Sequence, residues 1–244
     1  MKNLIKKLLI PFRKFVQYLV VPDFPLDYMR ISSYKTSLVL WYEIEMMQSS
    51  LEYAIKNFRN CLRFYIRSQL WDYAISHILK TDNKEQLHLE FGTWKGESIN
   101  YFSSRLTKVK FYGFDSFEGL KEDWSGHSLA KGNFDLKGKT PKVNENVTLI
   151  KGWFDTSLPL FLEQNDNKIK FLHIDCDTYE STKIVLDLLK GRIISGTFIL
   201  FDEYIGYPSW NVGEYKAFQE LITETNLKYE YIGFSNQAVL VKIL

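Results

Sequence analysis

Two cysteines, Cys61 and Cys176, are all that 244 residues contain. They are too few and too far apart for a disulfide framework or a cysteine zinc site, so a reducing cytoplasm is the default setting. No stretch approaches the roughly 20 uncharged apolar residues of a spanning helix. Arg13 and Lys14 interrupt the first apolar run and no small-x-small cleavage site follows, a pattern unlike that of a secretory signal. Net charge is also scarce: 31 basic against 29 acidic residues leave +2, and no strongly basic field argues for nucleic acid. The sequence shows no internal repeat and no low-complexity tract.

What remains is a chain with 45% hydrophobic and 16% aromatic residues, enough to bury a core and offset the entropy of ordering. The near-zero charge hides a division. Residues 1–80 hold 12 Lys/Arg against 6 Asp/Glu, leaving the rest with 19 against 23. On a helical projection Leu4, Ile5, Leu8, Leu9, Phe12, Phe15, Val16 and Leu19 gather on one side, with Lys2, Lys6, Lys7, Arg13 and Lys14 opposite. Residues 1–21 are therefore expected to contact the protein's own body or a second subunit, or else to lie peripherally on the inner membrane face. Pro22 and Pro25 break this helix, and residues 40–79, free of Gly and Pro, predict one or two long helices. A basic helical extension, 1–80, is expected to precede a second domain, 81–244.

After a turn at Thr81–Lys84 the texture changes to short apolar runs alternating with helical stretches. The pattern predicts strands at 86–91, 110–115, 147–152, 169–175, 196–201, 229–233 and 238–243. Helices are expected at 98–106, 158–163, 181–189 and 215–224. Such alternation means an α/β fold with a mostly parallel seven-stranded sheet, helices on both faces and an antiparallel hairpin at its edge. Residues 118–146, punctuated by Gly119, Gly126, Gly132, Gly138 and Pro141, form a long excursion and a candidate lid.

Two chemistries emerge at predicted strand ends. In Glu90-Phe91-Gly92-Thr93-Trp94-Lys95-Gly96-Glu97-Ser98 a strand passes through two glycines into a helix, with room for close backbone approach. The spacing is Gly-x-x-x-Gly, lacking the Gly-x-Gly-x-x-Gly of dinucleotide cradles, which favours a ligand without pyrophosphate such as S-adenosylmethionine. Asp115, followed by Ser116, ends the next strand where a ribose-hydroxyl acceptor belongs, and equally where an Asp would cap a turn. Gly152-Trp153-Phe154-Asp155 offers an adenine wall, although Trp153 fits a core position as well. His173-Ile174-Asp175-Cys176-Asp177 and Phe201-Asp202-Glu203-Tyr204 close two further strands. If these strands pair, Asp175, Asp202 and Glu203, with or without Asp177, converge within about 5–10 Å. Packed carboxylates repel, so a hard divalent cation, Mg²⁺ first, suits them. His173 and His88 read as core histidines, and His127 is left over in the excursion.

These strings, in this order and together with Gly113-Phe114-Asp115-Ser116-Phe117-Glu118-Gly119-Leu120 and Thr178-Tyr179-Glu180-Ser181-Thr182, resemble the macrocin O-methyltransferase family. The resemblance runs from about residue 85 to the C-terminus. It implies a Rossmann-like class I methyltransferase fold that uses S-adenosylmethionine and Mg²⁺ to methylate a hydroxyl of a sugar or glycan-type small molecule. It places Glu90, Gly92 and Gly96, flanked by Thr93, Trp94 and Ser98, around the methionine half. Asp115 and Ser116 fall at the ribose, and Gly152, Trp153 and Phe154 beyond it. Asp175, Asp202 and Glu203 become the metal ligands, with Asp175 also beside the cofactor and Asp175 or Asp177 taking the proton. Family members commonly carry Asp-Asp where this chain has Asp202-Glu203, and the lysine base of catechol-type relatives would fall near Thr178. Two competing readings stay open: a nicotinamide-dependent oxidoreductase on the same sheet, and a non-enzymatic glycan- or membrane-associated binding module.

Overall fold

The computed structural model describes residues 37–80 and 85–244. By compactness the chain divides into residues 1–42 and 43–244, and the sheet and its cleft belong to the second unit. The expected amphipathic helix at 1–21, the break after it and the turn at 81–84 lie outside the described residues. Helix α1 (Leu38–Asn57) leads to strand β1 (Leu62–Phe64) and helix α2 (Arg67–Lys80). Then come β2 (Leu87–Phe91), α3 (Glu97–Arg105), β3 (Phe111–Asp115), β4 (Val147–Lys151) and α4 (Phe154–Gln164). β5 (Ile169–Ile174), α5 (Tyr179–Leu189), β6 (Phe198–Phe201), α6 (Glu214–Thr225), β7 (Tyr229–Ser235) and β8 (Ala238–Ile243) complete it. Among the described residues no helix is long and apolar enough to cross a membrane.

The strands form one sheet in the order β1-β7-β8-β6-β5-β2-β3-β4. β8 runs antiparallel to both of its neighbours and the remaining pairs are parallel. Every residue of β2, β5 and β6 is buried, as expected for central strands covered on both faces. On one face α2 and α3 pack Leu70, Trp71, Ile78, Ile99 and Phe102 against Phe171, Leu200 and Leu240. On the other, α4, α5 and α6 set Phe161, Leu189 and Phe218 against Leu89, Leu172 and Ile199.

One feature differs from the sequence expectation. The sheet has eight strands, because Leu62–Phe64 pairs in parallel with Gly233–Ser235 and takes the edge beside the hairpin. A three-residue strand carries too few alternations to register as a period. As a result β1 and α2 belong to the sheet domain, where the expected division at residue 80 would have separated them. The excursion after β3 has no helix and only one bridge, Glu118 with Asp135, and it is held by its own backbone bonds, such as Leu120 N–H to Asn133 O at 2.9 Å.

If α2 is part of the sheet's core, truncating the fully buried Leu70 to Ala should destabilise the whole domain by about 2–5 kcal/mol in a single urea transition. An unfolding midpoint equal to wild type would detach α2 from that core.

Candidate active site

Strand order reverses between β2 and β5: β3 and β4 are added on one side of β2, and β5 pairs on the other. Such a switch point opens a crevice at the carboxyl ends of the strands. Gly92, at φ +90°, turns the chain there, and a Cβ at this position would lie 1.6 Å from the Asp175 carbonyl oxygen. The glycine expected to admit a ligand is therefore demanded first by the backbone of the β5 end. Gly96, at φ +79°, precedes the first residue of α3, and Gly152, at φ +141°, turns β4 towards Trp153 while its N–H reaches Asp115 O at 3.0 Å.

A cleft of about 250 Å³ lies over this point. Its walls include Gly92, Thr93, Trp94, Ser98, Asp115, Ser116, Trp153 and Phe154 at one side, and Asp175, Asp177, Asp202 and Glu203 at the other. Of the expected cofactor residues, Glu90, Gly96 and Gly152 stand behind this surface. Asp115 does what a turn cap would do: Oδ2 accepts the Trp94 N–H at 2.7 Å and Oδ1 the Phe117 N–H at 2.6 Å. Two carboxylate oxygens carry about four lone pairs, so acceptor capacity remains. Burial raises its pKa against the lowering by these N–H groups. Trp153 and Phe154 open α4, Phe154 packing edge-on to Phe91 at 5.3 Å. The excursion adds Leu120, Lys121, Trp124 and Phe134 to the cleft wall, with Phe134 5.3 Å from the Trp94 ring.

The acids converge because β5 and β6 pair in register, Ile174 opposite Phe201. Asp175, Asp177 and Glu203 bring one oxygen each within 4.8 Å of one another, and His173, Asp175 and Asp202 make a second such group. Asp175 belongs to both. His173, fully buried, donates from Nδ1 to Glu90 Oε2 at 2.9 Å and stands 3.9 Å from Asp202 Oδ1 through Nε2. Burial opposes its charge, but Asp202 and Glu90 prevail and raise its pKa to about 10. The core histidine expected from sequence is buried, with one ring nitrogen facing each of two carboxylates.

Burial and Asp202 push Asp175 well up, and burial and the neighbouring carboxylates do the same to Glu203. Asp177 is raised to about 7 by burial, with Asp202 next in weight. Its backbone sits at φ +64°, and the Thr178 N–H closes onto Cys176 O at 2.6 Å, the strained form of a γ-turn. Strain of this kind aims a side chain and collects at functional sites. Asp202 is lowered despite burial, because His173 and Arg67 offset its charge. Asp202 Oδ1 and Glu203 Oε2 are buried without a hydrogen-bond partner.

Sequence reasoning missed two charged groups here. Arg67, the first residue of α2, donates from Nη1 to Asp202 Oδ2 at 2.6 Å. Glu214, fully buried at the start of α6, accepts the Glu203 N–H at 3.2 Å. Neither stands next to a motif, and only the tertiary fold delivers them. His127 stacks on Trp124 with ring centroids 3.8 Å apart and does not line the cleft.

Residues 89–204 match the family described as "Methyltransferase domain". A curated relative from Streptomyces olivaceus, 8-demethyl-8-(2,3-dimethoxy-alpha-L-rhamnosyl)-tetracenomycin-C 4'-O-methyltransferase, is 26% identical over 48% of this chain and 52% of its own length. The chain thus matches about half the length of that relative. Among solved structures, the calicheamicin methyltransferase CalS11 superposes with TM-score 0.58 at 20% identity, over 82% of this chain and 91% of that one. A second, apo structure of CalS11, described as TDP-rhamnose 3'-O-methyltransferase, gives 0.52 at 19% identity, over 82% and 93%. The O-methyltransferase NovP gives 0.55 at 19% identity, over 70% and 76%. Residues 89–204 are thus similar to methyltransferase domains, and the eight-stranded sheet with its switch-point cleft shares its fold with these O-methyltransferase structures.

Proposed function

We propose that this protein transfers a methyl group from S-adenosylmethionine to a hydroxyl of a sugar-bearing small molecule, with a divalent cation, Mg²⁺ first, at the acidic end of the cleft. The observation that carries the reading is the continuity of one cleft from the Gly92 turn and Asp115 to Asp175, Asp177, Asp202 and Glu203. The activities of the tetracenomycin relative and of CalS11 point to sugar hydroxyls as acceptors.

S-adenosylmethionine, when bound, supplies an electrophilic methyl group on a sulfonium. Asp115 suits the ribose hydroxyls, with Trp153 and Phe154 beside the adenine and the Gly92 turn beside the methionine half. The donor set suits a hard cation: Asp175 groups with Asp177 and Glu203 on one side and with Asp202 on the other, and Asp202 Oδ1 and Glu203 Oε2 lack hydrogen-bond partners. Such a cation, when bound, lowers the pKa of a hydroxyl and fixes its direction. Asp177, poised near neutrality at the tip of its turn, accepts the hydroxyl proton. The excursion over the cleft excludes water and holds the reacting groups together.

The direct test is mass spectrometry after incubation with S-adenosylmethionine, Mg²⁺ and nucleotide-linked or aglycone-linked 6-deoxyhexoses. One added CH₂ on the sugar is expected. Absence of transfer, with no S-adenosylhomocysteine bound in calorimetry, would overturn the assignment. Asp177→Asn should lower kcat by about 10²–10⁴-fold and leave S-adenosylhomocysteine affinity within about twofold. Asp202→Asn should abolish Mg²⁺ stimulation, and turnover retaining full Mg²⁺ dependence would exclude Asp202 as a ligand.

The raised acids also set a pH dependence. A carboxyl with a higher pKa folded than unfolded binds more protons in the native state, so its stabilisation is present at low pH and lost as pH rises through about 7, where Asp177 titrates. A cation held by Asp175, Asp202 and Glu203 would offset the charge left by those protons and counter the loss. The rise in melting temperature on adding Mg²⁺ should therefore be larger at pH 8 than at pH 6, and an equal or reversed effect would place the cation elsewhere.

A further inference from the structure

Three cations line the cleft among the described residues: Arg67, Lys95 and Lys121. Lys121 is held at the Trp153 end, with Nζ 2.8 Å from Asp155 Oδ2 and 5.5 Å from the Trp153 ring centroid. Lys95 lies over Trp94 at 4.1 Å. Arg67 occupies the opposite end, anchored on Asp202 and set 4.7 Å from the Trp71 ring centroid, with Asp175 and Glu97 close enough to favour its charge.

A guanidinium carries five N–H donors. Among the described residues one hydrogen bond uses them, the Nη1 donation to Asp202, and the side chain keeps 42% of its exposure. The planar fork is thus fixed in direction by one arm and by the tryptophan face, while its other donors are left for a ligand. An amino-acid zwitterion entering this end meets Glu97 for its ammonium, Asp175 and Asp202 being assigned to the divalent cation, and needs a cation for its carboxylate. Arg67 is the cation on the wall at that end.

We propose that Arg67 binds the α-carboxylate of the methionine half of S-adenosylmethionine, through donors not committed to Asp202. This rests on the methyltransferase reading of the same cleft. The assignment joins α2 to cofactor recognition and couples the two halves of the cleft, because the same guanidinium touches a metal-site carboxylate and the cofactor. A carboxylate gripped by a charged fork is selective in a way that ring stacking is not.

The test compares two probes by calorimetry on the full chain in Mg²⁺ buffer. One is S-adenosylhomocysteine, and the other its decarboxylated analogue, 5'-deoxy-5'-(3-aminopropylthio)adenosine, which keeps the ammonium. The wild type should prefer the carboxylate-bearing probe. Arg67→Gln should weaken that probe by about 10–100-fold, as expected for lost hydrogen bonds to a charged group, and leave the analogue within about twofold. Arg67→Lys, which keeps the charge and loses the fork, should fall between. Equal losses for both probes would make Arg67 a support for the cleft through Asp202 and overturn the proposal. Unchanged affinity would assign the carboxylate to the backbone N–H groups at the start of α3 and overturn it equally. A wild type that binds both probes equally also removes this proposal, and needs no variant to do so. A wild type that binds neither removes the methyltransferase reading with it.

Discussion

An alternating line of charge, Glu90–His173–Asp202–Arg67, lets this sheet bury acids at neighbouring strand ends. Glu90 and Asp202 are 1% and 3% exposed and His173 is fully buried, so each charge depends on the next for compensation. Removing one member of a buried pair typically costs 3–5 kcal/mol, because the partner is left charged and dry. The line crosses β2, β5 and β6 and ends on α2. It therefore ties α2 to the centre of the sheet and keeps Asp202 ionised amid other carboxylates. Asp175, Asp177 and Glu203 lie beside this line without such partners, and their pKa values rise accordingly. That contrast sets Asp202, kept ionised by His173 and Arg67, apart from the acids beside it whose pKa values rise.

Backbone geometry does the rest of the positioning. The β2 turn presses so closely on the β5 end that only glycine fits at residue 92, and this closeness brings Asp115 and Asp175 onto one cleft. Asp177 is thrust out by a turn that a non-glycine residue adopts only under strain. The excursion is fastened above it: Glu122 accepts from Thr178 and Ser181, and Thr178 also caps α5. The loop that roofs the cleft and the helix that follows the acids are therefore held by the same side chains.

The central strands were legible because each is a continuous apolar run ending in a carboxylate, and the order of strand-end motifs pointed to the class of fold. β1 was not, since three strand residues inside a stretch free of Gly and Pro look like helix, and α2 was expected as a helix but not as part of the sheet domain. The site divides in the same way. Asp115, Asp175, Asp177, Asp202 and Glu203 follow strand ends, which a sequence displays. Arg67 and Glu214 open helices 135 residues before Asp202 and 11 after Glu203, and nothing local marks them. Glu90 is the converse case: its strand-end place was evident, yet His173 turns it away from the cleft and into the core.

By itself the sequence determined the α/β alternation, the glycine turn and the acids at strand ends, because each is a property of a few consecutive residues. The tertiary structure decided which acids have charged partners and which do not, that a histidine stands between two carboxylates, and that an arginine from outside the matched segment reaches the cleft. The physical reason is that pattern and turn chemistry are local, whereas the charge state of a buried group depends on what the fold places within a few ångströms of it.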